Sequence, residues 1–293
     1  MMDQAENLRN IIKRQNQKDV TNARVIAVTS GKGGVGKSSV SINLAIQFTK
    51  MGKKVIILDA DFGLANIEVM FGVIPKYNLS DLMFSGKELK DIITDGPEGV
   101  RFISGGSGIA KLVNLDKEQV KRLVNKLSEL ENMADIIIID TGAGISPTVM
   151  EFLVASPETI IVTTPEPTSI TDSYALLKAL TMHENFRKSE ARIKMIANRV
   201  SSENEGRNLY EKLNMVVMKF LDINIEYLGI IPHDNNIIKA VMKQKPVSLI
   251  YPNAVSTRHF EEISDRIMNG GADIPVYRRG IRGYLKSVFA KNL

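Results

Sequence analysis

The sequence predicts an α/β fold, in which a doubly wound, mostly parallel β-sheet carries helices on both faces. Short apolar, β-branched runs alternate along the chain with longer stretches of helical spacing, a pattern typical of repeated βαβ units. Within the runs the apolar residues are nearly continuous, as at residues 136–139, so we expect strands that are buried on both faces.

The elements follow one another in order along the chain. Strands are predicted at residues 24–29, 54–59, 100–103, 135–140, 159–163, 193–197 and 225–231. Helices are predicted at residues 38–51, 116–131, 168–182, 203–221, 235–243 and 254–269. Gly52 follows the first helix at the position where a glycine commonly ends one. We expect one large domain at residues 22–275, between a short N-terminal segment at 1–21 and a short C-terminal segment at 276–293.

The composition excludes several classes of protein. Hydrophobic residues make up 44% and charged residues 24% of the 293, close to the averages of globular domains. The chain has no cysteine, which excludes a disulfide framework, a thiolate nucleophile and any iron–sulfur site with cysteine ligands. No apolar run reaches the roughly 18 residues of a membrane span, and no secretory signal pattern is present. We therefore expect a cytoplasmic protein or one at the cytoplasmic face of a membrane.

The net charge of +5 lies in the C-terminal tail. Residues 278–293 hold five basic residues and no acidic one, and the rest of the chain carries 33 of each sign. The body is therefore neutral overall, which argues against a general nucleic-acid-binding surface, although a neutral total can hide a basic patch.

A glycine-rich loop follows the first predicted strand and opens the first predicted helix. Residues 31–38 match G-x-x-x-x-G-K-[ST] in the strand–loop–helix context that the P-loop requires. We expect Lys37 to reach the β- and γ-phosphates of a nucleotide and the Ser38 hydroxyl to bind Mg²⁺. A glycine-rich turn with no ligand is the alternative. The residues predicted to bind nucleotide here are Gly33, Gly34, Val35, Gly36, Lys37, Ser38 and Ser39.

Carboxylates follow two other predicted strands. Asp59 and Asp61 end the second strand, and Asp140 follows the apolar run at 136–139 in the Walker B pattern. Because ligands bind at the carboxyl ends of parallel strands, these groups are expected to face the glycine-rich loop. Asp140 is predicted to hold Mg²⁺ through water. For Asp59 and Asp61, capping of the following loop remains the alternative.

Lys32 is a second lysine within the glycine-rich loop, and with it the chain resembles the deviant Walker A family of MinD and ParA ATPases. The resemblance implies a P-loop NTPase fold, ATP or ADP with Mg²⁺, and a homodimer formed with ATP. It implies that Lys32 crosses the dimer interface to the partner's phosphates, that Asp61 positions the attacking water and that Asp59 supports the Mg²⁺ shell. The catalytic residues predicted in this way are Asp61, Lys32, Lys37 and Asp59. A solvated Lys32 without such a role is the alternative.

The resemblance also implies where the base is recognised. Asn198, followed by Arg199, is expected to hydrogen-bond adenine, and the segment Pro232, His233 and Asp234 is expected to close over the base. The chain has no Asn-Lys-x-Asp guanine motif, so ATP is favoured over GTP. A turn-forming role for Asn198 remains open.

The C-terminal tail has the pattern of a basic amphipathic helix. Apolar side chains lie on one helical face, and the basic residues lie off it. This pattern predicts binding to anionic membrane lipids, strengthened when a dimer presents two such helices. Docking of the helix on the protein's own body is the alternative. The predicted membrane-binding residues are Ile281, Tyr284, Leu285, Val288 and Phe289.

The N-terminal segment is similar to the activator segment of the FlhG subfamily of flagellar-number ATPases, also called FleN or YlxH. The similarity rests on Asp-Gln-Ala at residues 3–5 and Leu-Arg at 8–9, and residues 103–108 and 165–172 also resemble that subfamily. It implies that the segment stimulates the GTPase FlhF, and it makes flagellar C-ring proteins candidate partners. A disordered leader and a helix packed on its own domain are the alternatives. The predicted partner-binding residues are Asp3, Gln4, Ala5, Leu8 and Arg9.

Together these observations predict a slow, dimer-dependent ATPase switch that associates with the membrane and controls flagellar number and placement. A ParA-type DNA-partitioning ATPase and a MinD-type regulator of the division site remain alternatives. The neutral body and the amphipathic tail argue against specific nucleic-acid binding. An iron–sulfur carrier is excluded by the missing cysteines, and no second substrate site indicates a metabolic ligase.

Overall fold

The fold is that of a computed structural model of the chain, which describes residues 23–62, 64–106, 123 and 126–269. The predicted partner-binding residues Asp3, Gln4, Ala5, Leu8 and Arg9 lie outside the described residues. The predicted membrane-binding residues Ile281, Tyr284, Leu285, Val288 and Phe289 lie outside them as well. Most of the helix predicted at 116–131 is also outside this range. Within the described range, no helix is both long enough and apolar enough to span a membrane.

Eight strands form one sheet. They are β1 (Arg24–Ser30), β2 (Val55–Ala60), β3 (Thr94–Asp95), β4 (Arg101–Ile103), β5 (Ile136–Ala143), β6 (Glu158–Thr163), β7 (Arg192–Val200) and β8 (Ile225–Pro232). Their order across the sheet is β3-β4-β2-β5-β1-β6-β7-β8. All neighbouring strands are parallel except the short pair β3 and β4. The mostly parallel sheet predicted from the sequence is therefore confirmed.

Residues 123, 126 and 127 are helical, and ten further α-helices have both ends in the described part of the chain. They are α1 (Lys37–Lys50), α2 (Asn66–Phe71), α3 (Leu79–Phe84), α4 (Leu89–Ile92), α5 (Pro147–Ala155), α6 (Pro167–Met182), α7 (Glu203–Leu221), α8 (Asn235–Met242), α9 (Val247–Ile250) and α10 (Val255–Asn269). Single 3₁₀ turns are found at Pro97–Gly99 and Ser128–Asn132. Gly52 follows α1 with φ of +78°, in agreement with its predicted place beyond the helix end.

The sheet has a hydrophobic core on each face, as a doubly wound fold requires. In β5, Ile137 and Ile139 pack in a core shared with α6 and α7, whereas Ile136 and Ile138 pack on the other face with α1 and α10. Side chains of a strand alternate between the two faces, so this unbroken apolar run supplies both cores at once. The near-continuous hydrophobicity of the strands follows from this arrangement.

The structure adds elements that the sequence pattern did not predict. Helices α2, α3, α4 and α9 have only four to six residues, too few to display a helical period. Helix α5 has nine residues and a recognisable start, since Ser146 accepts a hydrogen bond from Val149 N–H and Pro147 occupies the first helical position. That Ser-Pro signal was present in the sequence and could have identified the helix.

The sheet topology determines where a ligand can bind. Strand β1 lies between β5 and β6, and the chain moves to one side of it for β2 and to the other side for β6, β7 and β8. Open α/β sheets bind ligands at the carboxyl ends of their strands beside such a reversal. The loop after β1 and the ends of β2, β5 and β7 meet at this edge.

Candidate nucleotide-binding site

The glycine-rich loop joins β1 to α1 and depends on its glycines for two different reasons. Gly34 and Gly36 have φ of +76° and +98°, a left-handed conformation that favours glycine. Gly31 is instead limited by packing, because a Cβ at that position would lie 2.1 Å from the backbone carbonyl carbon of Asp172 in α6. The loop is thus bent by two glycines and packed against α6 at a third.

A cavity of about 870 Å³ opens over this loop. The sequence-predicted residues that line it are Gly33, Gly34, Gly36, Lys37, Ser38, Ser39, Asp61, Asn198, Arg199, Pro232, His233 and Asp234. Val35, also predicted to bind nucleotide, has its side chain buried in the core below the loop. The structure therefore brings four separate segments of the chain to one cavity.

Apolar side chains that no motif indicated form another part of the cavity wall. Leu64 and Met70 come from α2 and the loop before it, while Ile238 and Met242 come from α8. Leu64 is 64% exposed and Met242 is 81% exposed. Large exposed apolar side chains beside a polar loop are typical of a ligand-binding cleft. Sequence analysis missed this wall because it did not predict α2, and because the pattern that predicted a helix at 235–243 does not show which face of that helix meets the cavity.

Asp140 lies within β5, where its side chain contacts Ser41 in the first turns of α1. Burial raises the pKa of its carboxyl to about 6, while the Ser38 and Ser41 hydroxyls and the Lys37 ammonium oppose that rise. Asp140 Oδ1 accepts a hydrogen bond from Ser41 Oγ at 2.8 Å. The other oxygen, Oδ2, is buried and has no hydrogen-bond partner among the described residues. A buried carboxylate oxygen without a partner beside a serine hydroxyl has the chemistry of a cation site.

Asp59 is directly opposite Asp140 in the pairing of β2 with β5, and it is fully buried. Its Oδ1 accepts the backbone N–H of Asp61 at 3.2 Å, and its Oδ2 accepts that of Ile67 at 3.3 Å. Burial and the neighbouring Asp140 charge raise the pKa of Asp59 well above its usual value. Asp59 does not line the cavity, and its hydrogen bonds fit the capping alternative. Support of a Mg²⁺ shell by Asp59 stays a prediction.

Asp61 does line the cavity, in the loop that follows β2. Its backbone N–H is held by Asp59, and the next side chain, Phe62, packs edge-on against Phe152 of α5 with ring centroids 6.2 Å apart. A Cβ at Gly142, after the β5 Asp140, would lie 3.7 Å from Asp61 Oδ1. The loop that carries Asp61 is therefore held by the hydrogen bond from the Asp61 N–H to Asp59 and by the contact between Phe62 and Phe152.

Lys32 lies outside the cavity. Its ammonium contacts Glu166 Oε2 at 2.6 Å and Thr168 Oγ1 at 3.0 Å, both at the start of α6. The hydrogen bond and charge of Lys32 lower the pKa of Glu166. Within a single chain, Lys32 therefore pairs with residues of its own subunit. That it reaches across a dimer interface to the partner's phosphates stays a prediction.

Asn198 and Arg199 occupy the far end of β7 beside the glycine-rich loop. Asn198 Nδ2 donates to the carbonyl oxygen of Val35 at 2.6 Å, and Asn198 Oδ1 accepts the Arg199 N–H at 3.0 Å. Arg199 has φ of +58°, uncommon for a residue with a side chain. The contact with Val35 joins residues 163 positions apart, so no local pattern could have revealed it.

The segment that ends β8 is positioned by hydrogen bonds of its own. Asp234 Oδ1 accepts the Asn236 N–H at 2.8 Å and so caps α8. Asp234 Oδ2 accepts a hydrogen bond from Ser256 Oγ in α10 at 2.7 Å. Partial burial raises the pKa of Asp234, but these hydrogen bonds outweigh burial and the pKa is lowered overall. The backbone N–H of His233 donates to the Val200 carbonyl at 2.9 Å, which ties the segment to β7.

Comparisons with known proteins agree with this geometry. A sequence model of the ParA family, described as NUBPL iron-transfer P-loop NTPase, matches residues 21–268. The chain is 41% identical over 244 residues to the antiactivator FleN of Pseudomonas aeruginosa, covering 83% of this chain and 86% of that protein. It is 35% identical over 297 residues to the flagellum site-determining protein YlxH of Helicobacter pylori, covering 98% of each.

More distant relatives share the same fold. The chain is 32% identical to the septum site-determining protein MinD of Helicobacter pylori, covering 92% of this chain and 100% of that protein. The solved structure of MinD from Pyrococcus horikoshii, complexed with Mg-ADP, matches with a TM-score of 0.70 at 24% identity, covering 84% of this chain and 96% of that chain. At that identity the match with the solved structure shows the fold alone.

Proposed function

This chain belongs to the ParA/MinD family of P-loop NTPases, and we propose that it is an ATPase switch that regulates flagellar number and placement. The observation that carries the flagellar assignment is the similarity to YlxH over 98% of both chains, together with 41% identity to FleN. Residues outside the shared ATPase core are included in that similarity. The cavity over the P-loop supports the enzymatic part of the proposal.

ATP is the proposed nucleotide, with its phosphates on the P-loop and its base towards the Asn198 end of the cavity. The backbone N–H groups of the loop and the start of α1 present positive potential to phosphate oxygens. Lys37, whose side chain is nearly buried at the first position of α1, adds a full positive charge there. No Asn-Lys-x-Asp guanine motif occurs in the chain.

Ser38 and Asp140 are the residues proposed to hold Mg²⁺. The buried Asp140 Oδ2, which lacks a hydrogen-bond partner in the described part of the chain, supports this assignment. Bound Mg²⁺ would neutralise charge on the β- and γ-phosphate oxygens. Ser38 would contribute its hydroxyl oxygen directly, and Asp140 would act through water because it lies below the cavity surface.

Asp61 is proposed to orient the water that attacks the γ-phosphate. Its carboxylate lines the cavity, and its loop is fixed by Asp59 on one side and by the Phe62–Phe152 contact on the other. Orientation of the water is the main task, because phosphoryl transfer depends chiefly on positioning and charge stabilisation. A single chain would hydrolyse ATP slowly, because a positive charge supplied by a second chain is still missing from its site.

Lys32 is proposed to supply that positive charge after two ATP-bound chains form a homodimer. Its contact with Glu166 is largely exposed, with side-chain exposures of 38% and 53%. Exposed ion pairs contribute about 0–1 kcal/mol, so the lysine can exchange Glu166 for phosphate oxygens at little cost. Hydrolysis would then require dimerisation, as for an arginine finger supplied in trans.

The C-terminal tail is proposed to attach the ATP-bound dimer to anionic lipids at the cytoplasmic face of the membrane. We expect Phe289→Glu to abolish ATP-dependent pelleting with anionic liposomes, because a charge on the apolar face opposes its insertion. Ser287→Glu is the matched control, since it adds the same charge off that face. Unchanged pelleting of Phe289→Glu would contradict the anchor, and its ATP turnover shows whether the core is intact.

The N-terminal segment is proposed to stimulate FlhF, with flagellar C-ring proteins as further partners. A synthetic peptide of residues 1–20 added to purified FlhF is expected to accelerate GTP hydrolysis. The same peptide with Gln4→Ala should lose the effect, because it removes the side chain at the centre of the Asp-Gln-Ala motif. A Gln17→Ala peptide, changed outside the motif, is the control.

Failure of the wild-type peptide to stimulate FlhF would contradict the activator role. It would leave intact the ATPase assignment, which rests on the cavity and the family. The flagellar assignment would then rest on the similarity to FleN and YlxH alone, with regulation of the division site as the second candidate from the 32% identity to MinD of Helicobacter pylori.

A further inference from the structure

The Asn198 side chain is built into the P-loop. Its Nδ2 lies 2.6 Å from the Val35 carbonyl oxygen, and the residue is only 5% exposed. A Cβ at Gly36 would lie 2.5 Å from the same nitrogen, so the amide fills the space beside the loop. This contact is between β7 and the loop after β1, two segments held together only by the tertiary fold.

Hydrogen-bond chemistry determines the orientation of that amide. Asn198 Oδ1 accepts the Arg199 N–H at 3.0 Å, which leaves Nδ2 facing the Val35 carbonyl. The opposite orientation would place two oxygen acceptors against each other and two donors against each other. One lone pair of the amide oxygen and one amide hydrogen are therefore already used within the protein, which leaves one lone pair and one hydrogen for a base.

The Val35 carbonyl belongs to a part of the loop that has little conformational restraint of its own. It lies between Gly34 and Gly36, both left-handed, and glycine loses more conformational freedom on ordering than any other residue. The opposite end of the loop has its own anchor, where Ser30 Oγ donates to the Lys32 carbonyl at 2.7 Å. Asn198 supplies the matching polar anchor next to the start of α1.

We propose that Asn198 is a positioning residue for the P-loop, which holds the turn at residues 34–36 so that the backbone N–H groups and Lys37 face the phosphates. This inference rests on the proposed nucleotide site and deepens it. Asn198 then contributes to the binding of any polyphosphate, with or without a base. If Asn198 instead hydrogen-bonds adenine, as the family resemblance implies, it contributes only to the binding of ligands that carry the base.

The test compares a ligand with a base and a ligand without one. Binding of ADP and of inorganic tripolyphosphate, each with Mg²⁺, is measured by calorimetry on the full chain and on Asn198→Ala. The variant loses the donor to a buried carbonyl, so both affinities should fall by a similar factor of about ten. Asn214→Ala is the matched control, because Asn214 also supports a backbone group, the Ile225 N–H, but lies on α7 away from the cavity.

The two affinities distinguish a role of Asn198 in positioning the P-loop from a role in binding the base. A loss confined to ADP, with tripolyphosphate unchanged, would overturn the proposal and make Asn198 a base reader. Unchanged affinity for both ligands would overturn it as well. If Asn198→Ala does not fold, as judged by its thermal unfolding beside the control, Asn198→Ser retains a hydroxyl donor and is measured in the same way. Failure of the unmodified chain to bind ADP would instead refute the proposed nucleotide site.

Discussion

Replacement of Asp61 by alanine is expected to reduce ATP turnover by about 10²–10⁴-fold while ATP binding and ATP-dependent dimerisation persist. The carboxylate lies in the wall of the cavity, whereas the P-loop, Lys37 and Ser38 are the groups proposed to hold the phosphates. Loss of Asp61 would therefore remove the group proposed to orient the water and leave the groups proposed to bind ATP. An enzyme that binds but does not turn over should accumulate as the dimer.

Turnover is measured as phosphate release, binding by calorimetry, and the dimer by analytical ultracentrifugation with ATP. Asp222→Asn is the matched control, because the Asp222 side chain is 96% exposed, its ion pair with Lys188 is a surface contact of 3.4 Å, and asparagine tolerates the φ of +53° at this position. Normal phosphate release by Asp61→Ala would refute the catalytic role. A parallel loss of binding would show that the residue acts on the loop rather than on the water.

Replacement of Lys37 by glutamine is expected to weaken binding of ATP and ADP on the order of 100-fold, which corresponds to the loss of a charged hydrogen bond of about 3 kcal/mol. Lys37 is 7% exposed, so its ammonium acts where solvent screens it poorly. Glutamine keeps much of the aliphatic stem and a polar end but carries no charge. The loss of affinity therefore reports the effect of the Lys37 charge rather than a loss of side-chain packing.

The measurement is calorimetric titration with ADP and with a non-hydrolysable ATP analogue. Lys53→Gln serves as the control, because it removes the same charge beyond the other end of α1, far from the P-loop. An unchanged affinity for Lys37→Gln would place the nucleotide elsewhere. A comparable loss in Lys53→Gln would point to a general effect of net charge.

The longer elements could be predicted because their signals are local. Helix α7 was predicted at 203–221 and is found at those residues, since Ser202 provides its N-cap and its buried residues recur at helical spacing. Strand β5 was predicted from four consecutive isoleucines, which serve both hydrophobic cores. The P-loop glycines were identified because their conformation and spacing follow from phosphate binding itself.

The side-chain partners at the site could not be predicted in this way. Support of a Mg²⁺ shell by Asp59 stays a prediction, and the sequence did not show that its oxygens accept the N–H groups of Asp61 and Ile67. Lys32 was expected to act in trans, and within one chain it pairs with Glu166. In each case the residue type and its position were compatible with two roles, and only the tertiary structure shows which contacts one chain makes.

The sequence by itself determined the sheet, the longer helices, the P-loop and the family resemblance, because each rests on periodicity or spacing within a short stretch of chain. Only the tertiary structure decided that Asn198 supports Val35, that Phe62 packs on Phe152, and that α2 and α8 wall the cavity. These contacts join residues far apart in the chain. Their partners are selected by strand order and by packing between layers, which no local pattern encodes.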